Sequence, residues 1–190
     1  FVGKPANGMF RNTFASCSGL TGEIPPKLFG NISGAPTMDM FYATFSGCSG
    51  LTGTIPENLF GNISGAPAQG MFFGTFNTCS GLTGEIPPNL FGSISGQPQY
   101  AMFSHTFANC PGLTGSIPSG LFGTFTGAPA ESMFYGTFLN SSGFSTIEDG
   151  IWDLSGLSNT DEPNMFSRVF QSTSGITSES PSIAPGSTTK

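Results

Sequence analysis

The sequence predicts an α/β fold: a right-handed solenoid with one short parallel β-strand and one short helix in each 31-residue unit. Three observations predict it. Cys17, Cys48, Cys79 and Cys110 each lie 31 residues apart. The same frame, MFxxTFxxCxGLTGxIPxxLFGxxxGxP, surrounds each of them. The 28 glycines, 15 prolines and 20 phenylalanines occupy fixed places in it, so large apolar anchors recur and a disordered chain is excluded. A fixed period in this range marks an array whose units cover one another's hydrophobic faces.

Units begin at Met9, Met40, Met71, Met102 and Met133, and a sixth begins one residue late at Met165. The solenoid is expected over residues 1–176 as five to six units, with 177–190 a degenerate, Ser/Thr/Pro-rich linker. Phe1 to Pro5 align with Ile32 to Pro36, so the natural protein is expected to start upstream.

Each unit divides into three parts. The first is the expected helix: Pro36 suits a first helical turn, Phe41 and Phe45 fall four apart on one face, and Gly47 or Gly50 can end it. The second, Leu51 to Pro56, is too short for a helix and is expected to be the strand, stacked in parallel on Leu20, Leu82 and Leu113. The third, Leu59 to Pro67, is expected to be a turn-rich return with Leu59, Phe60 and Ile63 inward.

Comparison between units assigns packing roles. Phe14, Phe45, Phe76, Phe107 and Phe138 are expected to form one buried column. The threonine slot (Thr13, Thr44, Thr75, Thr106, Thr137) becomes Val169, which predicts a half-buried branched ladder rather than a reactive one. Residues 37–39, 68–70, 99–101 and 130–132 share nothing, so they are expected in solvent. Trp152 replaces a phenylalanine near the end, where Glu148, Asp149, Asp153, Asp161 and Glu162 gather as a solubilising outer face.

The frame TFxxCxGLTGxIP, with MF upstream, resembles the BspA-like leucine-rich repeats of bacterial surface proteins, in a 31-residue variant. The resemblance covers residues 1 to about 176. It implies a leucine-rich-repeat solenoid in a secreted or surface-anchored adhesion or recognition protein. Two departures stand out: the asparagine common after the strand is missing, and the unit is longer by GxxxGAP and a helical turn.

Chemistry is sparse. The net charge is −6 with only 8% charged residues, and no basic patch suits nucleic acid or an anionic membrane. No apolar run approaches the roughly 20 residues that span a bilayer. Cysteines in separate coils form a line rather than a tetrahedron, so no metal is expected, and four buried free thiols are. His105 shares its slot with Asn12, Ala43, Gly74 and Gly136, a tolerant slot expected at the surface without catalytic partners. Asn31, Asn62 and Asn140 begin N-x-S/T sequons. No cofactor is expected, and no enzyme.

The candidate contact surface is the outward face of the strand: Thr21, Glu23, Thr52, Thr54, Thr83, Glu85, Thr114 and Ser116. The function read from this is non-catalytic adhesion or recognition of a protein or glycan on a host or neighbouring cell. The alternative is a spacer or stalk within a larger surface protein or filament.

Overall fold

The structure is a computed structural model describing residues 2–159 and 162–176, and these wind into a solenoid of parallel β-strands. In chain order the strands are β1 (Val2–Gly3), β2 (Asn31–Gly34), β3 (Asn62–Gly65), β4 (Ser93–Gly96), β5 (Gly115–Ile117), β6 (Thr124–Gly127), β7 (Phe144–Ile147) and β8 (Asp153–Leu157). One sheet runs β1-β2-β3-β4-β6-β8, and β5 pairs with β7. Every pairing is parallel.

The main sheet is not where the sequence placed it. It is built by the Asn-Ile-Ser-Gly segment that was expected to be a turn-rich return. Its alternation explains why: Ile32, Ile63, Ile94 and Phe125 are buried, while the residues on either side face out. The expected strand, Leu-Thr-Gly-x-Ile, makes a thinner ladder on another side. It contributes the bridges Gly22 to Leu51 and Gly84 to Leu113, then the β5–β7 pair. The residue missing from Phe144–Ile147 is absorbed there by a register shift between Gly115 and Ser116.

The expected helix does not form; no helix occurs among the described residues, and the fold is a β-solenoid rather than α/β. Over residues 39–48 the backbone instead alternates two kinds of hydrogen bond. Tyr42, Thr44, Ser46 and Cys48 donate to the carbonyl three residues back, while Phe41, Ala43, Phe45 and Gly47 donate to Met71, Phe73, Thr75 and Asn77 of the next coil. Asp39, Ala43 and Gly47 have φ of 53°, 50° and 78°, a left-handed residue at every fourth place. The result is a spiral of tight turns, laddered coil to coil like a strand.

Spacing explains the outcome. An α-helix with side chains is about 10–12 Å across, whereas strands stack about 4.8 Å apart. Phe41 and Phe72 lie 5.4 Å apart centre to centre, so the turn side stacks at nearly strand spacing and leaves no room for a helix.

Three aromatic columns fill the interior. Phe45, Phe76, Phe107 and Phe138 stack at 5.6 Å with interplanar angles of 6°. Phe14 joins this expected column at 5.4 Å, half-buried at its end. A second column carries Phe10, Phe41, Phe72, Phe103, Phe134 and Phe166. A third runs Phe29, Phe60, Phe91 and Phe122 into Trp152, the expected replacement, stacked 6.2 Å from Phe122.

Polar side chains tie coil to coil inside this core. Four members of the threonine ladder are buried deeper than the sequence suggested, Thr44, Thr75, Thr106 and Thr137 at 0% exposed, while Thr13 at its end is exposed. Each of the four donates its hydroxyl to a phenylalanine carbonyl of the preceding coil, such as Thr75 Oγ1 to Phe41 O at 2.9 Å. The cysteine slot works alike. Cys48, Cys79 and Cys110 donate to Phe14, Phe45 and Phe76 O at 3.0 Å, and Ser141 to Phe107 O. A small side chain carrying a donor is therefore what that slot requires.

Candidate recognition surface

The structure brings the eight candidate residues together. Leu51 and Ile55 point inward with Thr52 and Thr54 exposed between them, and the pattern repeats at Leu82–Ile86 and Leu113–Ile117. Thr21, Thr52, Thr83 and Thr114 form one outward row and Glu23, Thr54 and Glu85 the second; Ser116, expected to continue the second, is half-buried with its hydroxyl oxygen buried. The ladder is fixed by Thr52, Thr83 and Thr114 N–H donating to Gly22, Gly53 and Gly84 O at 2.8–2.9 Å. Gly53 has φ +73°, and a Cβ there would lie 2.8 Å from the Glu23 side chain, so glycine keeps the two rows apart.

A second polar face was missed by the sequence reading. On the main sheet, Asn31, Ser33, Asn62, Ser64, Ser93, Ser95, Thr124 and Thr126 all face out. The signal was the Asn-Ile-Ser alternation, masked by the glycines around it. The asparagines of two sequons, Asn31 and Asn62, stand in the same exposed slot of neighbouring strands, and Asn140 is exposed elsewhere.

The turn face carries the non-repeating residues. All three tyrosines, the single histidine and both arginines lie on the turn segments or at their margin. Tyr42 stacks on Phe73 at 4.6 Å, His105 tilts against Phe73 and Tyr135, and Arg11 and Arg168 lie over Tyr42 and Tyr135. Arg11 is also ion-paired with Asp39. The His105 slot differs from the surface slot expected: its ring is half-buried and φ is +55°. Burial, reinforced by Arg168, holds the imidazole pKa below its usual value. Of the triplets expected in solvent, Met38 and Tyr100 are about half exposed, but Gly70 and Ala101 are buried.

The cysteines are free, as expected, but not all buried: Cys17 is exposed. Burial pushes the Cys110 thiol up to about 12 and raises Cys79 and Cys48 as well. Among the acids, Glu148 accepts from Ser119 N–H at 2.8 Å and Asp153 from the Ser155 hydroxyl at 2.7 Å, which lowers both carboxyl pKa values. These acids serve as turn caps. Asp161 and the expected linker 177–190 lie outside the described residues.

Among the described residues, no group of three His, Cys, Asp or Glu side chains is placed to hold a metal ion, and no helix is long and apolar enough to cross a membrane. The fold is thus a parallel β-solenoid with three differently furnished sides. Comparisons with protein families, curated proteins and solved structures found no match to this chain.

Proposed function

We propose that this chain is a non-catalytic recognition module of the BspA-like leucine-rich-repeat kind, secreted or held at a cell surface, where it adheres to a protein or glycan of a host or neighbouring cell. The observation that carries the reading is the pair of exposed rows from Thr21 to Thr114 and Glu23 to Glu85, held in register by inter-coil hydrogen bonds. Side chains fixed on a rigid ladder lose little entropy on binding, and weak contacts repeated along it add through multivalency.

The second reading, a spacer or stalk, is favoured by the three unbroken aromatic columns, which make each coil a copy of the last. One experiment separates them. Thr52, Thr54, Thr83 and Glu85 are replaced by lysine, folding is checked by circular dichroism, and attachment to host cells and matrix is compared with the parent chain. The recognition reading expects attachment to drop at least tenfold. Unchanged attachment by a folded variant removes this face and favours the spacer.

A further inference from the structure

The two ends of the coil stack show opposite halves of the ladder that joins coil to coil. On the turn side, N–H groups donate toward the β8 end: Phe10 and Phe14 to Met40 and Thr44 O, Phe134 and Phe138 to Met165 and Val169 O. At the β1 end, the Met9, Arg11, Thr13 and Ala15 carbonyls hold the accepting slots of this ladder. Among the described residues none of them receives a backbone bond. At the β8 end, the Phe166, Arg168, Phe170 and Ser172 N–H groups hold the donating slots. Among the described residues none of them finds a backbone acceptor. One end is a row of acceptors and the other a row of donors.

Side chains repeat the asymmetry. Thr44 and Cys48 are buried and donate to Phe10 and Phe14 O of the coil on their β1 side. Thr13 and Cys17, in the same two slots of the coil before, are exposed. The Phe166 and Phe170 carbonyls close the matching acceptor series at the β8 end. Phe14 and Phe170 end one ring column and are half-buried, while the four rings between them are buried. On the main sheet β1 and β8 are the two edges of an all-parallel array, and an open edge is a template for another chain.

We propose that copies of this chain stack head to tail, the β1 end of one on the β8 end of the next, as an open filament. In that arrangement the Phe170 N–H meets Thr13 O of the next copy. Thr13 and Cys17 of that copy donate to Phe166 and Phe170 O, and the ring column runs on from Phe170 to Phe14. Charge selects a second copy in this orientation. Lys4 and Lys27 are exposed at the β1 end, where Glu23 is the one acid of residues 2–34. Glu148 and Asp153 are exposed at the β8 end, where Arg168 is the one cation of the described residues in 144–176. Residues 28–167 hold no lysine or arginine. Head-to-tail contact therefore sets opposite charges together, whereas a head-to-head pair sets like on like and acceptor on acceptor. Such a contact is heterologous: it leaves a free end on each copy, so growth does not stop at a dimer. The hydroxyl rows lie along the side of the stack, so the proposal stands under either reading of them.

Self-association of the full chain is measured by sedimentation equilibrium from micromolar to millimolar concentration, at low and at half-molar salt. The weight-average mass should rise past the dimer without a plateau. Half-molar salt should weaken association, because oppositely charged ends attract less when screened. Cys17 reads the contact itself, since its thiol faces the docked copy. Its reaction with a disulfide reagent, complete in dilute protein, should slow at least tenfold once most of the chain is assembled. Thr13→Glu, exposed and facing the acidic end of the next copy, should weaken association at least tenfold with circular dichroism unchanged. Lys4→Glu combined with Lys27→Glu should weaken it as well. A monomer at every concentration, a plateau at the dimer, association strengthened by salt, or a Cys17 rate independent of assembly overturns the proposal. So does undiminished association of both folded variants. None of these outcomes bears on the hydroxyl rows, whose test is attachment.

Discussion

Replacing Phe76 with alanine tests the central physical claim, that coils are held by stacked rings shared between neighbours. Phe76 is 0% exposed and stacks on Phe45 and on Phe107, each at 5.6 Å. Phe60 of the third column lies close by, 6.0 Å away. Deleting a buried phenyl costs about 3–5 kcal/mol in lost transfer energy and cavity. Each lost stacked pair is worth about 0.5–1.5 kcal/mol beyond area, so a ring sandwiched on both faces belongs at the upper end, near 5 kcal/mol. Phe14 is the internal control: half-buried and stacked on one side only, by Phe45, it should cost less than half as much. The assay is urea unfolding followed by far-UV circular dichroism and by Trp152 fluorescence. Trp152 packs on Phe122, Phe134, Phe166 and Phe170, so it reports coils remote from Phe76. Nearest-neighbour coupling expects both signals to shift together. A loss under about 2 kcal/mol, equal losses at Phe14 and Phe76, or a Trp152 transition that stays put would refute the argument.

Two further predictions concern slots that repeat in sequence but differ in surroundings. One thiol of four, Cys17, should react with a disulfide reagent in the native state at pH 8. The other three should react only after unfolding, because burial raises their thiols; prompt reaction of more than one would contradict the inter-coil hydrogen bonds. Gly19 and Gly50 share a slot, yet an added Cβ meets nothing within 4 Å at Gly19, while at Gly50 it meets Ser18 O at 2.6 Å and Leu20 O at 2.8 Å. Gly50→Ala should therefore lower stability by about 1–3 kcal/mol in urea unfolding, as overpacking does, and Gly19→Ala should fall within about 0.5 kcal/mol of the parent. Equal effects would mean that the slot demands glycine for local reasons.

Much of the candidate surface was legible in the sequence. The Leu-Thr-Gly-x-Ile alternation alone sends Thr52 and Thr54 outward, because strand side chains alternate whatever lies beneath them. The His105 slot carried a signal read too loosely. Asn12, Gly74 and Gly136 are residues that tolerate a left-handed backbone, so the tolerance reported a positive φ rather than mere exposure.

By itself the sequence determined that the chain is a solenoid, that its coils follow a 31-residue period, and which rings line its core. Those follow from repetition, because identical units can bury their apolar faces only by stacking in register. Only the tertiary structure decided what each side of the coil is made of. Phe41 and Phe45 are spaced as a helix would space them, and Asn62–Gly65 reads as a turn. Yet the first became a laddered spiral of turns and the second the main sheet. The reason is that secondary structure here is chosen by the neighbour. Phenyl rings stacked at about 5.5 Å set a coil spacing at which backbone N–H groups reach the next coil's carbonyls, and a helix, twice as wide, does not fit.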